Sequence, residues 1–199
     1  MRPSLQRWIK RHAAERFGLW NRRRKAAFVL SYIRRCEVKS VVMVGTNSPL
    51  EGYGAIIEQG IAGAVPFVVG CDMRPPPAGA PWRAVIADGR ALPFADGAVD
   101  LVFSNAVIEH VGGEGDQRSF VAEHERVGAR WVMTTPNRWC PIESHTGALF
   151  RHWSSSWRRA HVADFTRLLS RGEFAALLPS RARLRGAWWS PTFMAATED

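Results

Sequence analysis

The sequence predicts an α/β domain built on a doubly wound, mostly parallel sheet with a C-terminal antiparallel strand pair. Three observations carry that expectation. Short apolar runs, among them Ser40–Val44, Val99–Phe103 and Trp131–Thr135, alternate with helical or loop segments, as parallel strands joined by crossovers do. Each run ends abruptly in small or polar residues: Gly45, Ser104-Asn105 and Pro136-Asn137. At 199 residues the chain can bury a core as one unit. The expected organisation is a basic helical segment over 1–36 and a single globular domain over 37–199.

Residues 4–20 place Leu5, Trp8, Ile9, Ala13, Phe17 and Trp20 at helical spacing, with Arg7, Lys10, Arg11 and Arg16 between them. Such a helix covers part of the sheet or cleft, or lies on a membrane interface. A second helix is expected over Lys25–Arg35, ending in basic residues suited to a helix C-terminus. Ser40–Val44 is then a buried strand, followed by a loop with Gly52 and Gly54 and a helix around Ala55–Gln59. Pro66–Gly70 is a second strand, ending at Cys71-Asp72. The loop RPPPAGAPW excludes helix, and Ala84–Ala87 is a third strand, ending at Asp88. Val99–Phe103 and Trp131–Thr135 are the fourth and fifth, separated by a polar helix around Gln117–Arg126. Phe165–Leu178 reads as a helix interrupted by Gly172, and Ala182–Ala195 as the antiparallel pair.

A hydrophobic fraction of 46% and a charged fraction of 23% are ordinary for a soluble globular protein. The 3 cysteines, Cys36, Cys71 and Cys140, stand singly, which points to a reducing compartment rather than a disulfide framework. None of the 6 histidines has metal-ligand spacing, so no metal is expected. No apolar run has transmembrane length, and the N-terminus lacks the apolar core of a secretory signal. Cytoplasmic location, with peripheral membrane contact open, is the expectation.

Net charge is +10 over residues 1–35, −5 over 36–150 and +6 over 151–185. A mildly acidic centre with basic flanks suits an anionic membrane or other polyanion as partner, although an arginine-rich GC-rich genome gives the same composition. The 9 tryptophans keep nucleic acid in view, but no RNA-binding appendage is recognisable.

Ligands of an open α/β sheet bind beyond the carboxyl ends of its strands. Gly45 opens the first such turn, within GTNSPLEGYG, which lacks a complete GxGxxG. Asp72, ending the second strand, is placed to accept both hydroxyls of a ribose; a loop acid paired with Arg74 is the alternative. Asp88-Gly89 offers a carboxylate for an exocyclic amine beside a glycine that admits a flat ring, or is simple turn chemistry.

The block D-G-x-x-L-P-F-x-D-x-x-x-D-x-V-x-S-x-x-V-I-E-H-V, Asp88 to Val111, resembles the class I S-adenosylmethionine-dependent methyltransferases. It fits best the type 11-like branch that methylates small molecules, quinones and lipids. The run T-P-N-R-W-x-P-I-E-x-H-T, Thr135 to Thr146, is similar to a subgroup of bacterial members. The resemblance covers roughly Ser40 to the C-terminus and implies a Rossmann-like fold with S-adenosylmethionine as cofactor. It implies that Gly45 faces the methionine portion, Asp72 the ribose and Asp88 the adenine amine, with Gly89 beside it. Ser104 and Asn105 would line the pocket near the sulfonium.

Two departures stand out. The family carries an acid two residues before the first glycine and a second glycine two after it, where this chain has Met43 and Asn47. The missing acid weakens cofactor binding or passes its task to Asn47 or Ser48. The alternative is a non-catalytic relative that keeps the fold as a binding scaffold. A nicotinamide-dependent oxidoreductase shares the sheet, but the glycine fingerprint is incomplete and no Tyr-Lys pair is apparent, Tyr32 and Tyr53 being the 2 tyrosines.

Methyl transfer is an in-line displacement whose leaving group needs little help, so the enzyme chiefly aligns the nucleophile and supplies a base where a proton must leave. The expected activity is methyl transfer to a small-molecule, lipid or glycan-precursor acceptor. His110 and His145 are the candidate bases. Glu109 and Glu143 are expected to orient them or pair with Arg138. Thr134 and Thr135 read as strand-end packing, and nothing places a base beside Cys140.

Overall fold

The computed structural model describes residues 5–50, 54–142, 150–161 and 167–198. Its strands are β1 (Ser40–Val44), β2 (Phe67–Asp72), β3 (Arg83–Ile86), β4 (Val99–Asn105), β5 (Gly128–Pro136), β6 (Ala182–Arg185) and β7 (Thr192–Thr197). They form one seven-stranded sheet in the order β3-β2-β1-β4-β5-β7-β6. β1 to β5 pair in parallel, and β7 runs antiparallel to both β5 and β6. The doubly wound sheet and its antiparallel C-terminal pair are those expected from the sequence.

Period-2 alternation sorts the strand residues into two cores. Val42, Val44, Val102, Trp131 and Met133 face α3 (Glu114–Val127) and α5 (Arg171–Leu177), meeting Phe120 and Phe174. Val41, Met43, Leu101, Phe103 and Val132 face α1 (Leu5–Arg35) and α2 (Ile56–Ala64), meeting Val29, Tyr32, Ile33, Ile57 and Ile61. Burial on both faces explains why the central strands read as unbroken apolar runs. A short helix α4 (Ser155–His161) lies outside both cores.

The N-terminal expectation needs correction. In place of two helices there is one, of 31 residues. No glycine or proline falls between Trp20 and Lys25 to break it, and two polar residues in that interval find partners on β7. Asn21 Nδ2 donates to Thr192 Oγ1 at 2.8 Å and Arg24 Nη2 to Thr192 O at 3.1 Å. The part that covers the sheet is the C-terminal portion, through Ala26, Val29, Tyr32 and Ile33; Trp20 is exposed. The side chains of residues 5–14 lie outside the described residues.

The helix expected over 165–178 is shorter. Residues 162–166 lie outside the described residues, and α5 starts only after Ser170. There Glu173 accepts from Ser170 N at 2.9 Å while Ser170 Oγ accepts from Glu173 N at 3.3 Å, a reciprocal cap. Gly172 therefore opens the helix rather than interrupting it.

Candidate functional site

The strand order reverses between β1 and β4: the chain steps one way to β2 and β3 and the other way to β5. Beyond the carboxyl ends of β1 and β4 lies the crevice where open α/β sheets bind ligands. Gly45, Asp72, Asp88, Gly89, Ser104 and Asn105 all lie at or just past strand ends on this edge.

Gly45 has φ +83°, and a Cβ there would sit 2.2 Å from Val107 Cγ2. Both the left-handed backbone and the close approach demand glycine. Its N–H donates to Cys71 O at 2.8 Å, holding the turn against β2. Asn47 contributes its backbone N–H to Asp72 Oδ2 at 3.2 Å, and Arg74 N donates to Asp72 Oδ1 at 3.0 Å. Asp72 is thus oriented by two main-chain donors, one on each oxygen, and each oxygen keeps a further acceptor position. Met43 is buried in the α1/α2 core, so no acid reaches the glycine turn from β1.

Asp88 is in a different condition. Arg90 N donates to its Oδ1 at 2.9 Å, Arg90 Nε lies 3.1 and 3.0 Å from the two oxygens, and Arg90 Nη2 donates to Oδ2 at 2.6 Å. These contacts hold its carboxyl below the usual range. Arg90 in turn bridges to Asp116 Oδ1 at 2.7 Å. The adenine-facing role expected for Asp88 competes with this arrangement, in which the acid closes its own turn and ties it to α3. Gly89 answers to packing: a Cβ there would meet Phe120 Cε2 at 2.5 Å and Val44 Cγ1 at 2.9 Å.

Ser104 is fully buried, and among the described residues its hydroxyl oxygen has no hydrogen-bond partner. Asn105 Oδ1 accepts from Lys25 Nζ at 2.6 Å and from Thr134 Oγ1 at 2.9 Å. Thr135 Oγ1 donates to Glu109 Oε2 at 3.1 Å. Thr134 and Thr135 therefore fix site side chains rather than merely packing.

His110 ends a 3-10 turn over Ile108–His110 that follows β4. Its ring is 43% exposed, with Nε2 3.9 Å from Oε1 of the fully buried Glu109. His145 and Glu143 lie outside the described residues. Among the described residues Arg138 donates to Glu173 Oε1 at 2.9 Å and to Leu168 O at 2.7 Å. Among the described residues no group of three or more metal-ligating side chains converges.

Four residues escaped the sequence reading. Lys25 and Glu58 are buried at the switch point; the signal was a glutamate three residues before Ile61 on the apolar face of α2. Arg90 stands two residues after Asp88, a local spacing that invites a pair. Asn137 Nδ2 donates to Trp188 O at 2.6 Å and Ser190 O at 2.8 Å while its Oδ1 accepts from Trp139 N at 2.9 Å. It joins the loops that flank the C-terminal side of the crevice.

Comparison with known proteins follows these lines. Residues 60–130, from α2 into β5, match the family model described as a methyltransferase domain. No curated protein matches the chain in sequence. Among solved structures it resembles a chain from the Haloferax volcanii complex of the Trm112 methyltransferase activator with a methyltransferase. That match has a TM-score of 0.57 and 14% identity over 99% of this chain and 98% of the other. A SAM-dependent methyltransferase from Methanosarcina mazei matches with TM-score 0.52 and 13% identity, over 80% and 92% of the two chains. A Rhodobacter sphaeroides protein described as a Zn-dependent alcohol dehydrogenase matches with TM-score 0.55 and 12% identity, over 79% and 82%. At such identities a likeness carries the fold and not the activity; the family match at residues 60–130 is what separates the readings, and it does not favour a scaffold without catalysis.

The residues fit S-adenosylmethionine at the glycine turn and at Asp72, which retains acceptor capacity for a ribose diol; Asp88 fits only if Arg90 releases it. The match to a methyltransferase domain over residues 60–130, set on a sheet of the Rossmann-like methyltransferase type, supports methyl transfer with S-adenosylmethionine as cofactor.

Proposed function

We propose that the chain transfers a methyl group to a small-molecule, lipid or glycan-precursor acceptor, within the branch of the family that serves such acceptors. The observation that carries this reading is the pairing of a methyltransferase-domain match over 60–130 with an oriented Asp72 beside the Gly45 turn. Bound at that crevice, S-adenosylmethionine supplies an electrophilic methyl carbon. Asp72 would accept from the ribose hydroxyls, Gly45 and Asn47 would border the methionine portion, and Ser104 and Asn105 would line the floor. Asp88 and Gly89 would border the adenine.

His110 is proposed as the group that takes a proton from the acceptor, at Nε2, with Glu109 holding the imidazolium that results. His145 is the second candidate. Once an acceptor is in hand, His110→Asn should lower kcat by about a hundredfold or more with cofactor affinity unchanged; an unaltered kcat removes His110 from the chemistry and leaves His145.

The first test is calorimetric titration with S-adenosylmethionine and, separately, S-adenosylhomocysteine. Saturable one-to-one binding, weakened by Asp72→Ala, is the expected result. No heat and no thermal shift with either ligand would refute the reading. Among the described residues no helix is long and apolar enough to cross a membrane. Peripheral contact with an anionic membrane or polyanion through residues 1–35 belongs to the same proposal. Deleting residues 1–22 should then abolish liposome binding, and any nucleic-acid binding should fall steeply with salt.

A further inference from the structure

Buried polar side chains from three elements meet at the point where the strand order reverses. Lys25 of α1 and Glu58 of α2 are 7% and 3% exposed, and Lys25 reaches the Asn105 side chain at the end of β4. Lys25 Nζ donates to Asn105 Oδ1 at 2.6 Å, and Lys25 and Asn105 both favour a charged Glu58 carboxylate. Thr134 donates to the same Oδ1 from β5. Among the described residues Glu58 Oε2 is buried with no hydrogen-bond partner. The two charges form no direct ion pair there, the Lys25 ammonium being held by the neutral amide of Asn105.

Such an arrangement is costly for the free protein. A buried charge needs a matched partner and filled hydrogen-bond positions, and here each has only part of that. Burial pushes the Glu58 carboxyl up and the Lys25 ammonium down to about 8. Around the pair, Arg22 and Arg24 disfavour a charged Lys25 while Glu109 and Glu58 favour it, and Lys25 and Arg22 favour a charged Glu58. A ligand that brings one ammonium and one carboxylate on adjacent atoms offers an opposite charge to each member. The amino-acid end of S-adenosylmethionine is such a group.

We infer that Lys25, Glu58 and Asn105 form the subsite for the zwitterionic amino-acid end of S-adenosylmethionine. Lys25 takes its carboxylate and Glu58 its ammonium, the task left vacant by Met43. The inference rests on the cofactor reading given under Proposed function. It also makes α1 a wall of the cofactor site, because Lys25 reaches the crevice from the middle of that helix. Asn47 borders the same end, with its backbone N–H committed to Asp72.

The test is titration of the full chain with two ligands: S-adenosylhomocysteine, and 5′-methylthioadenosine, which keeps the adenosine and thioether but lacks the amino-acid end. Lys25→Met and Glu58→Gln should each weaken S-adenosylhomocysteine about ten- to a hundredfold, the scale of a charged hydrogen bond. Binding of methylthioadenosine should stay within about twofold. Equal weakening of both ligands, or unchanged affinity for S-adenosylhomocysteine, overturns the inference while leaving the cofactor reading intact. A wild-type chain that binds neither ligand defeats that reading and this one with it. Should Lys25→Met fail to fold, the near-isosteric Glu58→Gln carries the test, with methylthioadenosine binding as the check on its folded state.

Discussion

Two sets of charged side chains border the same sheet edge and are treated in opposite ways. Asp88, Arg90 and Asp116 face solvent, and each carboxylate is met by a guanidinium. Lys25 and Glu58 are buried, Lys25 held by one neutral asparagine and Glu58 with a carboxylate oxygen unpartnered among the described residues. Geometry of the first kind builds a turn and anchors it to a helix. The second kind leaves electrostatic free energy in reserve for a ligand. Ion pairs at a strand end therefore say less about binding than charges that lack one.

The glycine turn next to both sets should be the least tolerant point. Gly45→Ala places a Cβ in the left-handed region and against Val107, so it should cost about 2–4 kcal/mol, read by urea denaturation. A loss below about 1 kcal/mol would mean that Val107 gives way and that the turn does not rigidly separate the sets. Lys25→Met is the next largest, with the opposite sign. Replacing an under-compensated buried charge with an apolar side chain should raise unfolding free energy at pH 7 by about 1–3 kcal/mol. Its pH dependence sharpens the point. Because the folded chain holds the Lys25 proton less tightly, with a pKa of about 8 against an ordinary 10.5, the unfolded state binds more protons between those values. Wild-type stability should therefore climb across that window relative to the variant, and the variant's advantage should shrink. A variant less stable than wild type at pH 7 would show the ammonium already compensated. Asp88→Asn should do least: its Arg90 partner is solvent-screened, so the unfolding midpoint should scarcely move. Affinity for S-adenosylhomocysteine should change less than about threefold where Arg90 holds the acid; a tenfold loss would return Asp88 to the adenine.

The strand ends were legible because burial on both faces leaves continuous apolar runs, and the polar residues after them mark the ligand edge without any knowledge of side-chain contacts. The position of Asp72 at the end of β2 was read this way. What Asp88 does was not, because choosing between a ligand acceptor and a turn depends on where the Arg90 side chain swings. Lys25 and Glu58 were hidden for a different reason. In a helix with arginines on either side, a lysine reads as one more solvated charge, and only the docking of α1 against β4 shows that it faces inward. The same docking explains the unbroken α1: Asn21 and Arg24 look like a polar interruption until Thr192 of β7 is placed beside them.

The contacts of α1 with β7 bear on the order in which the molecule can assemble. Asn21, Arg24 and Tyr32 bond residues 171, 168 and 165 positions further along the chain, among the longest separations the sequence allows. α1 is made early, yet Asn21, Arg24 and Tyr32 meet these partners only when the segment carrying Thr192 and Thr197 enters the sheet between β5 and β6. Until then α1 is held over β4 by the apolar contacts of Val29, Tyr32 and Ile33 and by the Lys25–Asn105 bond. Large sequence separations of this kind slow folding and leave early segments waiting, exposed to other partners. Competence of the crevice is thus expected to wait for β7, although most of the residues that line it are made long before.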